Sequence, residues 1–211
     1  MSRAVIDIWS SYRTEADIAW IMPDGCQDVI LSLPDNGAPS ITISTLHHTA
    51  TAVHIPAQQH MIGLRLSPGF NVSSLDLMQL YRYRYDTKEL AANIEQSATP
   101  ITSQLKEALS CLHQHISVQT TADTLGVSCR TLQRLLKTNT GQSPLFWARL
   151  ARVRRAAQML LAQNNASETA YLCHYADQAH MSREIKHWFG VTPQQLLSRP
   201  DIIHQLQAPG Y

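Results

Sequence analysis

From Ser117 onward helix-start residues recur at short intervals, and no segment between them reads as a strand. Ser128 precedes CRTLQRLL, Ser143-Pro144 precedes LFWARLARVRRAAQMLL, Ser167 precedes ETAYLC, Asp177 precedes QAHMSREIKHWF, and Thr192-Pro193 precedes QQLL. Ser, Thr and Asp accept hydrogen bonds from the unpaired N–H groups of a first turn, and proline is tolerated there. Gly141 and Gly190 follow apolar-periodic stretches, where a left-handed residue closes a helix. This punctuation predicts an all-α domain of about seven helices.

The first ~70 residues obey a different rule. β-Branched runs at Asp28 to Ser32, Ile41 to Thr45 and Met61 to Leu66 alternate with turn clusters at Pro34-Asp35-Asn36-Gly37, His54-Ile55-Pro56 and Ser67-Pro68-Gly69. A small antiparallel sheet or partial barrel follows. Beyond Asn71 the spacing turns helical. Asp86-Thr87-Lys88-Glu89 has the N-cap and N3 residues of a capping box, and Thr99 to His115 aligns Ile101, Leu105, Ala108, Leu109 and Leu112 on one stripe. The expected class is α+β: a β-rich regulatory or dimerisation domain over 1–98, a connecting helix over 99–115, a helical domain over 116–198 and a tail over 199–211.

Within the helical half, TADTLGVSCRTLQRLL fits a helix-turn-helix. Ala122 is small enough for two helices to cross, Gly126 tolerates a positive φ, and Leu125, Val127, Leu132 and Leu135 are expected to clamp the second helix. Its polar residues Ser128, Arg130, Thr131, Gln133, Arg134 and Lys137 are then left for DNA. Arg130, Gln133 and Arg134 share one face; arginine pairs bidentately with guanine and glutamine with adenine. A second unit lies 48 residues on, counted from Ala122 to Ala170. There His174 takes the turn, Tyr175, Met181, Ile185 and Phe189 form the apolar side, and Gln178, His180, Ser182, Arg183, Lys186 and His187 are the DNA candidates.

LGVSCRTLQRLLKTNTGQSP and HYADQAHMSREIKHWFGVTP together resemble the DNA-binding domain of the AraC/XylS family of transcription regulators. WIMPDGCQDVILSL and GLRLSPGF resemble the short N-terminal domain found in a subset of that family. The resemblance implies two helix-turn-helix units joined by a linker helix, with the recognition helices in successive major grooves of double-stranded DNA. It implies RNA polymerase as a second partner, and a small-molecule effector or a second copy of the chain engaged by the N-terminal domain. Two positions depart from the family pattern: His174 replaces the turn glycine, and Met181 replaces an aromatic.

Charge agrees with this division. Residues 1–111 hold 7 Lys/Arg and 11 Asp/Glu, a net −4, whereas 112–211 hold 10 and 5, a net +5. The basic half is the one expected to meet a polyanion, and 112–211 are expected to bind DNA unaided. Arg149, Arg152, Arg154 and Arg155 go round the linker helix, so one or two should touch phosphate and the rest form ion pairs within the domain. No apolar run is long enough to span a bilayer, and the N-terminus lacks a signal-peptide core, which places the chain in the cytoplasm with no membrane partner.

An enzyme is the rival class, specifically an alkyltransferase that repairs DNA and carries a related helix-turn-helix. That chemistry needs a zinc-held set of four cysteines, yet only Cys26 and Cys111 fall within 1–111. No pair among Cys26, Cys111, Cys129 and Cys173 has metal-ligand spacing, and His47, His48, His54 and His60 read as ordinary sheet residues. Asp24, Cys26 and Asp28 read as a structural turn. No catalytic residue, metal or cofactor is expected.

Overall fold

A computed structural model describes residues 4–72, 75–97, 101–114 and 117–211. The expected connecting helix therefore has Thr99, Pro100 and His115 outside the described residues. The chain forms two compact units. One comprises Met1–Ala19, Cys26–Leu46 and Ala52–Thr102; the other comprises Trp20–Gly25, His47–Thr51 and Ser103–Tyr211.

The first unit is built on four antiparallel strands, β1 (Val5–Arg13), β3 (Asp28–Pro34), β4 (Ser40–Ile43) and β6 (Gln59–Leu66), in the order β1-β6-β3-β4. Strand side chains alternate between faces, so Leu64 and Leu66 fall together and Val29 pairs with Leu64. These three join Ala4, Phe70, Leu75, Leu80, Leu90 and Ile94 in one buried core. The last three come from α1 (Leu77–Leu80) and α2 (Thr87–Ser97), which flank a 3-10 turn at Tyr81–Tyr83. Glu95 of α2 accepts the Ala4 and Val5 N–H groups, each at 2.9 Å, and so ties the helix to the start of β1.

Asp86 caps α2 by accepting from the Lys88 and Glu89 N–H groups. The returning half of the expected capping box is not made, because the Asp86 N–H donates to Tyr83 O at 2.9 Å. Three strands occur where none was expected: β1, β2 (Asp17–Ile21) and β5 (Thr51–Ile55), the last two pairing as a separate ladder. Polar residues such as Asp7, Ser10 and Ser11 dilute the signal in β1. His54 and Ile55, expected in a turn, end β5; the chain bends beyond Pro56, with Gln58 at φ 52°.

The second unit is helical: α3 (Ser103–Gln114), α4 (Val118–Thr124), α5 (Cys129–Thr140), α6 (Pro144–Gln163), α7 (Ala166–Leu172), α8 (Gln178–Phe189), α9 (Pro193–Leu196) and α10 (Pro200–Gln207). Helix α6 is its axis. Trp147, Leu150, Ala151, Val153, Ala156, Ala157 and Leu160 are all buried, covering most of its circumference, as a helix wrapped by others requires. Leu105, Ala108, Leu109 and Leu112 of α3 are buried, whereas Ile101 precedes the helix. Ser128, Ser143, Asp177 and Thr192 cap their helices as their positions suggest. Ser167 does not: Asn165 caps α7 by accepting from the Glu168 N–H at 3.1 Å, and Ser167 lies inside the helix.

The stretch 199–211 is structured. Ile202 and Leu206 of α10 are buried, and the Tyr211 hydroxyl donates to Leu109 O at 2.8 Å while its N–H donates to Asp24 O at 2.7 Å. Gly25, at φ 77°, forms the expected turn; a Cβ there would lie 2.7 Å from Tyr211 Cβ and 2.8 Å from Trp147 Cζ3. Pro23 O accepts from the buried Arg154 guanidinium at 3.4 Å.

Candidate nucleic-acid interface

Two helix pairs in the second unit share one turn. In α4–α5 the Leu125 N–H donates to Thr121 O, Gly126 N–H to Asp123 O and Val127 N–H to Ala122 O, at 3.1, 3.1 and 3.0 Å. In α7–α8 the Cys173 N–H donates to Thr169 O, His174 N–H to Tyr171 O and Tyr175 N–H to Ala170 O, at 2.9, 3.0 and 2.9 Å. Each bond has its counterpart 48 residues on. Gly126 sits at φ 65° and His174 at φ 55°, so the histidine adopts the left-handed conformation that glycine takes in the first unit.

Burial follows the same plan. Ala122 and Ala170 are sealed where the helices cross, and Thr121 and Thr169 beside them are completely buried. The two threonines were not singled out in the sequence; the repeated Thr-Ala pair was the available signal. The second unit's apolar side, Tyr175, Met181, Ile185 and Phe189, is buried as expected. The first unit's clamp differs. Leu132 and Leu136 are fully buried, Leu135 is half-buried and Val127 is exposed, because the core-facing stripe of α5 continues from Leu132 to its i+4 neighbour.

On α5, Ser128, Arg130, Thr131, Gln133, Arg134 and Lys137 are all exposed. Ser128 is engaged at the helix start: its Oγ accepts from the Thr131 N–H at 3.1 Å and lies 3.0 Å from Thr131 Oγ1. Lys137 Nζ reaches forward and donates to Gly141 O at 2.7 Å. On α8, Gln178, Arg183, Lys186 and His187 are exposed, while His180 and Ser182 are half-buried. His180 stands edge-on to Tyr175 with centroids 5.3 Å apart, and the Ser182 hydroxyl donates to Gln178 O at 2.8 Å. The Gln178 side chain accepts from Ser167 Oγ at 3.0 Å.

The acid of α8 is withdrawn from this face. Glu184 accepts from Arg152 Nε and Nη2 at 3.1 and 2.8 Å, a pair whose side chains are only 15% and 11% exposed. The same guanidinium lies 4.5 Å from the Tyr175 ring centroid. Burial, then the Glu184 charge, pushes the Tyr175 phenol well above its ordinary value. Among the linker arginines Arg152 makes the expected ion pair, with Glu184. Arg154 donates to Pro23 O and Leu206 O, and Arg155 to His113 O; Arg149 is exposed beside a hollow of about 280 Å³ that Leu145, His180 and Glu184 also line. His113 is held below its ordinary value by burial, then by Arg155 and Arg154.

Among the described residues no three His, Cys, Asp or Glu side chains could jointly hold a metal ion, and no helix is long and apolar enough to cross a membrane. Cys26 and Cys173 are buried, Cys111 and Cys129 are half-buried, and none of the four forms a disulfide.

Residues 121–199 match a protein-family model described as a helix-turn-helix domain. Among curated proteins the chain is similar to the HTH-type transcriptional activator RhaS of Yersinia pestis (strain Pestoides F), with 34% identity over 79 residues, 37% of this chain and 29% of that protein. The chain thus spans under a third of that relative's length. Among solved structures it is similar to an AraC-type transcriptional regulator from Chromobacterium violaceum, at 28% identity, covering 51% of this chain and 95% of that one with a TM-score of 0.42. It is also similar to the C-terminal domain of AraT, a response regulator from Geobacillus stearothermophilus, at 24% identity, 47% and 88% coverage and a TM-score of 0.44.

Proposed function

We propose that the protein is a sequence-specific DNA-binding transcription regulator of the AraC type, working in the cytoplasm, with residues 121–199, which match the helix-turn-helix family model, as its reading head. The observation that carries this reading is the repeated turn with its exposed helix faces. Each unit buries the same Thr-Ala pair and turns through a left-handed residue, leaving a polar, basic outer face on α5 and on α8.

Arg130, Gln133 and Arg134 are the base-reading set of the first unit, with Ser128, Thr131 and Lys137 around them. Gln178, His180, Ser182, Arg183, Lys186 and His187 serve the second. Residues nearest a recognition helix's N-terminus reach base edges, while cations along it meet phosphate. The linker helix spans 20 residues, about 30 Å at the helical rise, a scale that suits adjacent major grooves about 34 Å apart. RNA polymerase is the partner through which bound protein would act. The N-terminal unit would serve as a regulatory or dimerising module, through an effector or a second copy of the chain, and not as a catalyst.

The test is selection of bound sequences from a random duplex pool with the purified chain. A defined motif, bound with an affinity that falls steeply with salt, is the expected result. Recovery of unselected sequence would refute the proposal.

A further inference from the structure

Helix α8 is anchored by the Arg152–Glu184 pair and by its buried Met181, Ile185, Trp188 and Phe189. A further attachment at its C-terminal end constrains its direction. That attachment is completed by a stretch from the first half of the chain that lies within the second compact unit, His47–Thr51. The Ala50 N–H donates to Trp188 O at 2.7 Å. Trp188 is next to last in α8, and a helix's final carbonyls have no partner inside it, so α8 is capped from outside.

Beside this bond the His48 ring lies 5.0 Å from Phe146, which in turn lies 5.6 Å from Trp188. His48 Nε2 is 3.1 Å from Gln142 Nε2. Gln142 follows Gly141, the left-handed cap of α5, and Phe146 stands in the first turn of α6. One short stretch therefore touches the end of the first unit's helix, the start of the linker and the end of the second unit's helix.

We infer that His48 and Ala50 are positioning residues for DNA reading: they set the angle of α8 relative to α5 and thereby the spacing between base-pair blocks that the protein accepts. The inference rests on the DNA-reading function proposed above. It assigns a role in specificity to residues outside both helix-turn-helix units.

The test uses the full chain and His48→Ala, Gln142→Ala and Ala50→Pro, the last of which removes the capping N–H. In the free protein, amide exchange at Phe189 and Gly190 should quicken in Ala50→Pro. On the site selected by the unsubstituted chain and on copies with the two blocks moved by one base pair, that chain should discriminate about tenfold, the scale of one mismatched position. His48→Ala and Gln142→Ala should discriminate less than about threefold, with the preferred bases within each block unchanged. If Ala50→Pro does not fold, the two side-chain variants carry the test. Spacing discrimination retained in them would overturn the inference, as would wild-type exchange in a folded Ala50→Pro. An unsubstituted chain that selects no sequence refutes the DNA-reading proposal itself, whereas a selective chain with indifferent variants refutes only the positioning role.

Discussion

Single side chains separate reading from holding. Arg134 projects from the exposed face of α5, and Arg134→Ala should cost about 1–3 kcal/mol on the cognate site while relaxing preference at one base pair. Lys186→Ala should weaken all sequences alike and lower the salt slope by about one unit. Anisotropy titrations on cognate and random duplexes across salt check both, and equal losses for Arg134→Ala would remove it from the base-reading set. His113 gives a pH signature. Burial and two arginines hold it neutral below its ordinary 6.5, so as pH falls through that value the unfolded chain takes up a proton that the folded chain resists. Stability should decline on acidification from about pH 7 to about pH 5. Urea melts should show a shallower decline for His113→Gln; an unchanged slope would contradict the assignment. The sequence disclosed the exposed polar face of α5, since i, i+3 and i+4 spacing needs no tertiary knowledge. It did not disclose that Ser182 bonds to its own helix or that His180 leans on Tyr175, because both depend on local packing.

At the scale of elements, caps were legible wherever a short polar side chain stood alone before an apolar run. They were misread where two competed. Asn165 and Ser167 both precede ETAYLC, and only the backbone direction at Asn165 lets its side chain meet the Glu168 N–H. The turns of the two helix-turn-helix units were read correctly, His174 included. A left-handed side-chain residue costs roughly 1–2 kcal/mol, partly offset by the extra freedom glycine has when unfolded. His174→Gly should therefore stabilise the second unit by about 0.5–1 kcal/mol, measured as a shift in denaturation midpoint with unchanged m. A destabilised variant would mean that the imidazole makes a contribution larger than the strain. Strands β1, β2 and β5 escaped notice because mixed polar positions hide a period of two until partner strands are known.

At the scale of the molecule, the division of the chain was the least legible feature. Charge and punctuation separate a β-rich half from a helical half. Neither reveals that Trp20–Gly25 and His47–Thr51 group with the helices, since those contacts join residues far apart in sequence. The helical unit also draws on α3, whose Leu105, Ala108 and Leu109 are buried. A fragment of 112–211 lacks these, together with the Asp24 carbonyl that receives the Tyr211 N–H. It should therefore melt well below the full chain and less cooperatively; an equally sharp transition at the same temperature would show that the upstream segments are dispensable. Footprinting of the full chain on its selected site decides whether one chain reads DNA with two helices. Two reading helices should protect one face of the duplex over about two turns, with two asymmetric blocks about 10 base pairs apart and the second lost in Gln178→Ala/Arg183→Ala. Protection of a single turn, unchanged by that double substitution, would contradict it.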